Sequence, residues 1–200
     1  MPEPSKPRYW NRYVDHDGRW RKDPRTGTAM RPPGEDLAAL RAGLGRDAVT
    51  VPQLWPFYTC PVDDRLARRD QVSEEQDAEH AALALYGLHQ QGQDNPMHRR
   101  DVSLGKALRA LRHSGKFSEE AVDARVAAAV AATSVPALLM RLRGLVTQLR
   151  AVNQPLDYDA LMADIHRWHR PPSRQLVRRG WGLGYHAWAQ TQPAPDSPSA

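Results

Sequence analysis

One cysteine, one isoleucine and two phenylalanines occur among the 200 residues. The lone Cys60, in YTCPVDD, excludes an internal disulfide and offers no second thiol for a structural zinc site. With so little isoleucine and no convincing alternating run, a β-sheet has little material. No apolar run approaches the roughly 20 residues that a membrane-spanning helix requires. The N-terminal MPEPSKPRYWNRY lacks the apolar core of a secretory leader, so a soluble cytoplasmic protein is expected, with no membrane partner. No glycine-rich phosphate loop or serine-nucleophile elbow occurs either.

Acid is missing locally. The chain carries 28 Lys and Arg against 23 Asp and Glu, a net charge of +5. Yet no acid lies between Asp123 and Asp157, or between Asp164 and Asp196. From Asp63 to Asp94 the balance reverses, with eight acids against three arginines. This polarity suggests one face for a polyanion and another for a protein subunit or a second copy.

What the chain has in quantity is helical periodicity. EDLAALRAGL sets Leu37, Leu40 and Leu44 on one face, with Gly45 to stop it. Ser73 to Gln76 has capping-box spacing ahead of Ala78, Ala81, Ala82, Leu85 and Leu88. Ser103 caps LGKALRALRHS, whose Leu104, Ala107, Leu108 and Leu111 point inward. Ser118 and Glu119 open the Val122, Val126 and Val130 stripe. Ser134 and Pro136 open a helix with Leu138, Leu142, Leu145, Leu149 and Val152 inside. Asp157 caps the Tyr158, Leu161, Ile165 and Trp168 helix, and Ser173 is read as opening the last one. PQLWPFYTCP, interrupted by prolines, reads as an irregular buried plug. The expected fold is all-α, a compact bundle of roughly seven to nine helices over 34–189, with 34–116 and 117–189 as candidate halves. Residues 1–33, with six prolines, read as a flexible arm or one docked only in a complex, and 190–200 as a disordered tail.

Three basic elements stand out. On SLGKALRALRHSGK, the side chains Lys106, Arg109, Arg112, His113 and Lys116 form a ridge about 15 Å long opposite the leucines. On LLMRLRGLVTQLR, Arg143 and Arg150 share a side with no acid three or four residues away, leaving water, a remote acid or phosphate as partners. Arg141 points elsewhere. The third element carries Arg167, Arg170, Arg174, Arg178 and Arg179. There Val177, Trp181, Tyr185 and Trp188 read as core and not as base-stacking platforms. Glycines 180, 182 and 184 would each cost a helix roughly 1 kcal/mol, which points to close packing against a neighbour. A solvated helix face is the ordinary meaning of one such ridge; three together favour a phosphate backbone.

Catalytic readings are weaker. His166 and His169, with Asp164, could suggest a metal cluster, but histidines three residues apart need a third ligand and an orienting second shell that the sequence does not identify, so no metal or cofactor is expected. Asp157 and Asp159 at a helix start suit capping better than paired acid and base chemistry.

The order LAALRAGLGR, PQLWPFYT, VSLGKALRAL, VDARVAAAVAATSVPALLMRLRGLVTQLR, PLDYDALMADIHRW and VRRGWGLGYHAW resembles the CasB family, the small subunit of the Cascade complex in type I-E CRISPR systems. The resemblance runs from Gly34 to Trp188 and rests on order and spacing. It implies a non-enzymatic helical subunit present as two copies, head to tail. Such a subunit stabilises the displaced non-target strand and braces the duplex of guide RNA and target DNA. The implied basic positions are Arg41, Lys106, Arg125, Arg143 and Arg178 or Arg179. Gly144 stands where relatives often have a second arginine, which leaves Arg141 or Arg150 as substitutes. A stand-alone helical regulator that reads double-stranded DNA with its last helix is the rival reading. It calls for exposed Asn or Gln readers, and that helix offers mainly Gln175 and Gln190.

Overall fold

A computed structural model describes residues 6–186 of the chain. The expected tail at 190–200 and the inward Trp188 lie outside the described residues. Within them the fold is all-α, with α1 (Tyr9–Tyr13), α2 (Gly34–Arg41), α3 (Asp64–Ala67), α4 (Glu74–Gln90) and α5 (Leu104–Arg112) in the first part of the chain. There follow α6 (Glu119–Val130), α7 (Val135–Ala151), α8 (Tyr158–Trp168) and α9 (Pro171–Tyr185). The proline-rich plug is a 3₁₀ turn, Pro52–Phe57, which buries Leu54 and leaves Trp55 exposed. Only isolated bridges represent β-structure among the described residues.

Local chemistry sets the helix ends. Ser73 and Gln76 form a reciprocal capping box on α4, and Ser103, Ser118, Ser134 and Asp157 each accept a backbone N–H from the first turn of their helix. These bonds satisfy donors that the first turn leaves without helical partners. The last helix begins earlier than Ser173, with Pro171 and Pro172 in its first turn, because proline needs no N–H partner there.

The predicted stripes on α5, α7 and α8 are buried, except Val152, which follows the end of α7 and is half-buried. Helix α4 exceeds its stripe and is buried almost all round, which makes it the central helix. Small residues permit this. At Gly87 a Cβ would lie 2.7 Å from Leu40 Cβ, so α2 crosses where α4 has no side chain. α7 and α8 also pack on α4, α6 packs on α7, and α9 packs on α5 and α8. One continuous core draws residues from every helix except α3, and from both candidate halves.

The arm departs from expectation. From Lys6 onward it is folded onto the core, with Tyr9 and Trp10 fully buried. Trp10 packs at 5.6 Å from Tyr158 and 5.9 Å from Tyr86, ring centre to ring centre. Arg8, Trp10 and Asn11 all donate to the Asp159 carboxylate on α8. Aromatic burial and these bonds outweigh the proline content that suggested a loose chain.

Candidate nucleic-acid interface

The α5 ridge owes its position to glycines. Gly105 faces the Trp181 carbonyl of α9 so closely that any Cβ would collide with it. A Cβ on Gly184 would lie 3.0 Å from the Lys106 backbone nitrogen. The two backbones therefore nearly touch, and an open groove runs beside the contact. Lys106 and Arg109 of α5 form its cationic wall, continued by His113 just past the helix, and Gly180, Leu183 and Gly184 of α9 form an apolar floor. The close-packing explanation holds for Gly184 alone, since Gly180 and Gly182 face open space.

The side chains of the ridge have different tasks. Lys106 Nζ donates to the Asp101 carbonyl at 2.9 Å and stays exposed. Arg109 is exposed and has no ion pair among the described residues. Arg112 turns to α6, pairing with Glu119 at 2.6 Å and Asp123 at 2.9 Å. The Arg112 hydrogen bond, followed by that of Tyr185, holds the Asp123 carboxyl below its ordinary value. Lys116 Nζ donates to the Ala151 carbonyl at 2.7 Å, where the negative end of the α7 dipole favours a cation.

Of Arg174, Arg178 and Arg179, the first two also have internal bonds. Arg174 donates to the carbonyls of Trp168 and Thr133, both at 2.6 Å. Arg178 donates to the Ala132 carbonyl at 3.0 Å and lies over the Trp168 ring. They clasp α9 to the turn between α6 and α7. Arg179, beside Gly180, is exposed.

The remaining candidates are spread over the bundle. Arg125 on α6 and Arg143 on α7 are exposed. Arg143 lines a separate cavity between α4, α7 and the turn after α2, together with Arg46, Asp77 and His80. Arg41 and Arg150 are half-buried, Arg41 bonding weakly to the Leu37 carbonyl of its own helix. Arg150 lies beside Gly92 at the end of α4. Burial pushes the pKa of the nearby His89 down to about 3, and the Arg150 charge adds to that effect. The structure thus joins Lys106 and Arg109 to the helix carrying Arg179, and leaves Arg41, Arg125, Arg143 and Arg150 elsewhere.

Much of the acidic 63–94 stretch has partners within the chain. Glu74 meets His166 and Arg170, Asp77 meets His169, and Asp94 meets Arg31. Glu79 is buried and accepts the backbone N–H groups of Thr59 and Cys60. The two histidines weighed as metal ligands thus face different carboxylates, while Asp164 accepts the Trp181 indole N–H at 2.7 Å.

Sequence reasoning did not foresee a second His and Asp group, His98 with Asp157 and Asp159. Its donors are already engaged. Asp157 caps α8 and accepts from Asp101 N, and Asp159 holds the arm. His98 Nδ1 accepts the Tyr158 backbone N–H, so the neutral ring carries its proton on Nε2, the atom 4.0 Å from Asp159. A ring in that tautomer has no free lone pair for a metal. Only the fold brings His98 beside α8, and no spacing in the sequence signals it.

Fold and groove together define an all-helical protein with an open cationic channel between two of its helices. The profile of the CRISPR-associated protein Cse2 family matches residues 36–186. The chain belongs to that family. It is similar to the crystal structure of CasB from Thermobifida fusca, with 31% identity and a TM-score of 0.60 over 76% of this chain and 84% of that one. A chain of a CRISPR RNA-guided surveillance complex shares the fold at 21% identity and a TM-score of 0.54, over 78% of this chain and 83% of that one. No curated protein matches the chain. Among the described residues no helix is long and apolar enough to cross a membrane.

Proposed function

We propose that the chain is a non-catalytic subunit of a CRISPR RNA-guided surveillance complex. It holds nucleic-acid backbone without sequence preference and stabilises the displaced non-target strand of the opened target. Membership of the Cse2 family and likeness to CasB support the assignment to such a complex. The observation that carries the binding role is the α5–α9 groove, with an exposed Lys106 and Arg109 above a floor of Gly180, Leu183 and Gly184. A wall of cations takes phosphates, while an apolar floor suits the sugar and base faces that only an unpaired strand offers.

Opening a target duplex is nearly balanced between DNA pairing lost and hybrid pairing gained, so a few backbone contacts can tip it toward the open state. Each neutralised phosphate on a single strand contributes a log-log salt slope of roughly −0.7. The partners under this reading are the other subunits, guide RNA, target DNA and a second copy placed head to tail. A stand-alone duplex reader fits less well. Gln175 is exposed, but the outward face of α9 otherwise presents Leu176 and Leu183 beside Arg179, and leucines are not polar readers of base edges.

The test is a salt titration of binding to single-stranded and double-stranded DNA, alone and in the reconstituted complex. Lys106→Ala and Arg109→Ala together are expected to make the single-strand slope shallower by about 1.4, two contacts at roughly 0.7 each. An unchanged slope, or an affinity that follows base sequence, refutes the reading.

A further inference from the structure

The folded arm presents a hairpin beyond the part of the chain that matches the family profile, and its charges are arranged unevenly. The isolated antiparallel bridge Val14 to Trp20 closes its first turn and Lys22 to Ala29 a second, so that three short limbs lie side by side. The Asp15 carboxylate accepts the backbone N–H groups of Asp17 and Arg19, and Asp23 accepts those of Arg25 and Thr26. The Arg19 and Arg25 N–H groups are the largest influences holding these two carboxyls below their ordinary values. Both acids are therefore absorbed by the turns. Arg19, Lys22 and Arg25 are exposed, and among the described residues Arg19 pairs with Asp17 alone, at 3.9 Å.

The hairpin is docked against the segment leading into α5. The Trp20 indole donates to the Asp94 carbonyl at 2.7 Å, and Arg31 pairs with the Asp94 carboxylate at 2.9 Å. Gly18, with φ of +76°, lies under the aliphatic stem of Arg99, where a Cβ would come within 2.8 Å of Arg99 Cγ. Arg99 and Arg100 are exposed, and the next residue, Asp101, receives the Lys106 ammonium on its carbonyl. The hairpin thus meets Arg99, and the chain continues through Arg100 to Asp101, whose carbonyl holds Lys106 beside the groove.

We propose that Arg19, Lys22, Arg99 and Arg100 form a second phosphate-binding edge that extends the α5–α9 groove, taking the same nucleic-acid strand beyond Lys106. The proposal rests on the function assigned to the groove and adds a site contributed by the arm. Because the hairpin backbone is fixed by its bridges, turns and the Trp20 anchor, its cations are partly organised before the strand arrives, which lowers the ordering cost of binding.

The experiment measures binding of the full chain to a mixed-sequence single strand of about 30 nucleotides by fluorescence anisotropy across a sodium chloride series. The triple variant Arg19→Ala, Lys22→Ala, Arg100→Ala is compared with Lys106→Ala, Arg109→Ala. Arg99 is kept because its stem packs on Gly18. The triple variant is expected to have a slope shallower by about 2, three contacts at roughly 0.7 each. A charge-preserving Arg19→Lys, Arg100→Lys variant retains the wild-type slope. If the triple variant binds as wild type while the groove variant weakens, the extension is wrong and the groove stands. If neither weakens, both fall. A charge-preserving variant as impaired as the alanine one assigns the loss to folding and also overturns the proposal.

Discussion

Trp10 donates its indole N–H to the Asp159 carboxylate at 3.0 Å, across 149 positions of sequence. Arg8 and Asn11 donate to the same group, so one acid on α8 anchors the start of the arm. Burial disfavours ionisation of Asp159, and the bonds from Asn11, Arg8 and Trp10 outweigh it, holding the carboxyl below its ordinary value. With a depressed folded pKa, this stabilisation is present above the unfolded value of about 3.9 and is lost as pH falls through the folded value. Asp159→Ala is expected to cost about 1–3 kcal/mol at neutral pH by leaving three donors without an acceptor. It should also flatten the acid limb of stability against pH. Chemical denaturation from pH 2 to 7 reads both effects, and a variant as stable as wild type would refute the anchor.

Asp164, on the same helix, has the opposite sign. Burial raises its pKa, and the Trp181 N–H and the Arg167 charge only partly offset that. For an acid with a raised folded pKa, stability declines as pH rises from the unfolded value through the folded one. Asp164→Asn keeps an acceptor for Trp181 and removes the buried charge. The variant is expected to be at least as stable as wild type at pH 7 and to lose the decline between acid and neutral pH. A marked drop in melting temperature at pH 7 would contradict this.

The glycines of α5 and α9 divide into two kinds. Gly105→Ala must push Trp181 away and is expected to cost about 1–3 kcal/mol, as overpacked sites do. Gly182→Ala meets nothing within 4 Å in a helical segment and is expected to stabilise by up to about 1 kcal/mol through helix propensity. Thermal unfolding of the two variants side by side distinguishes a contact glycine from a tolerated one. Equal effects would remove the distinction.

What the sequence disclosed was what depends on neighbours along the chain. The Ser73 and Gln76 box, the Asp157 cap and the Leu104, Ala107, Leu108 and Leu111 stripe follow from spacing of a few residues, and the structure has them all. The arm was illegible because Trp10 finds Tyr86 and Tyr158 only in the folded state. The same applies to the candidate site. Arg174 and Arg178 look like free cations in an acid-poor segment, yet their partners are the backbone carbonyls of Ala132, Thr133 and Trp168, a kind of acceptor that no count of acids reveals. Lys116 on the Ala151 carbonyl repeats the lesson.

Arg109 and Arg112 are one helical turn apart on α5, and the sequence treats them alike. In the structure Arg112 is held by Glu119 and Asp123, whereas Arg109 faces the groove without an acid. A cation already neutralised by two carboxylates has little left to exchange with counterions on a phosphate chain, because its partners would have to be displaced first. Arg109→Ala is therefore expected to make the single-strand salt slope shallower by roughly 0.7, and Arg112→Ala to leave it unchanged. Arg112→Ala should instead lower the melting temperature by freeing Asp123 and loosening α6 from α5. Both quantities come from anisotropy titrations and thermal melts of the same purified proteins. Equal loss of salt dependence in the two variants would mean that Arg112 leaves its carboxylates to meet the strand.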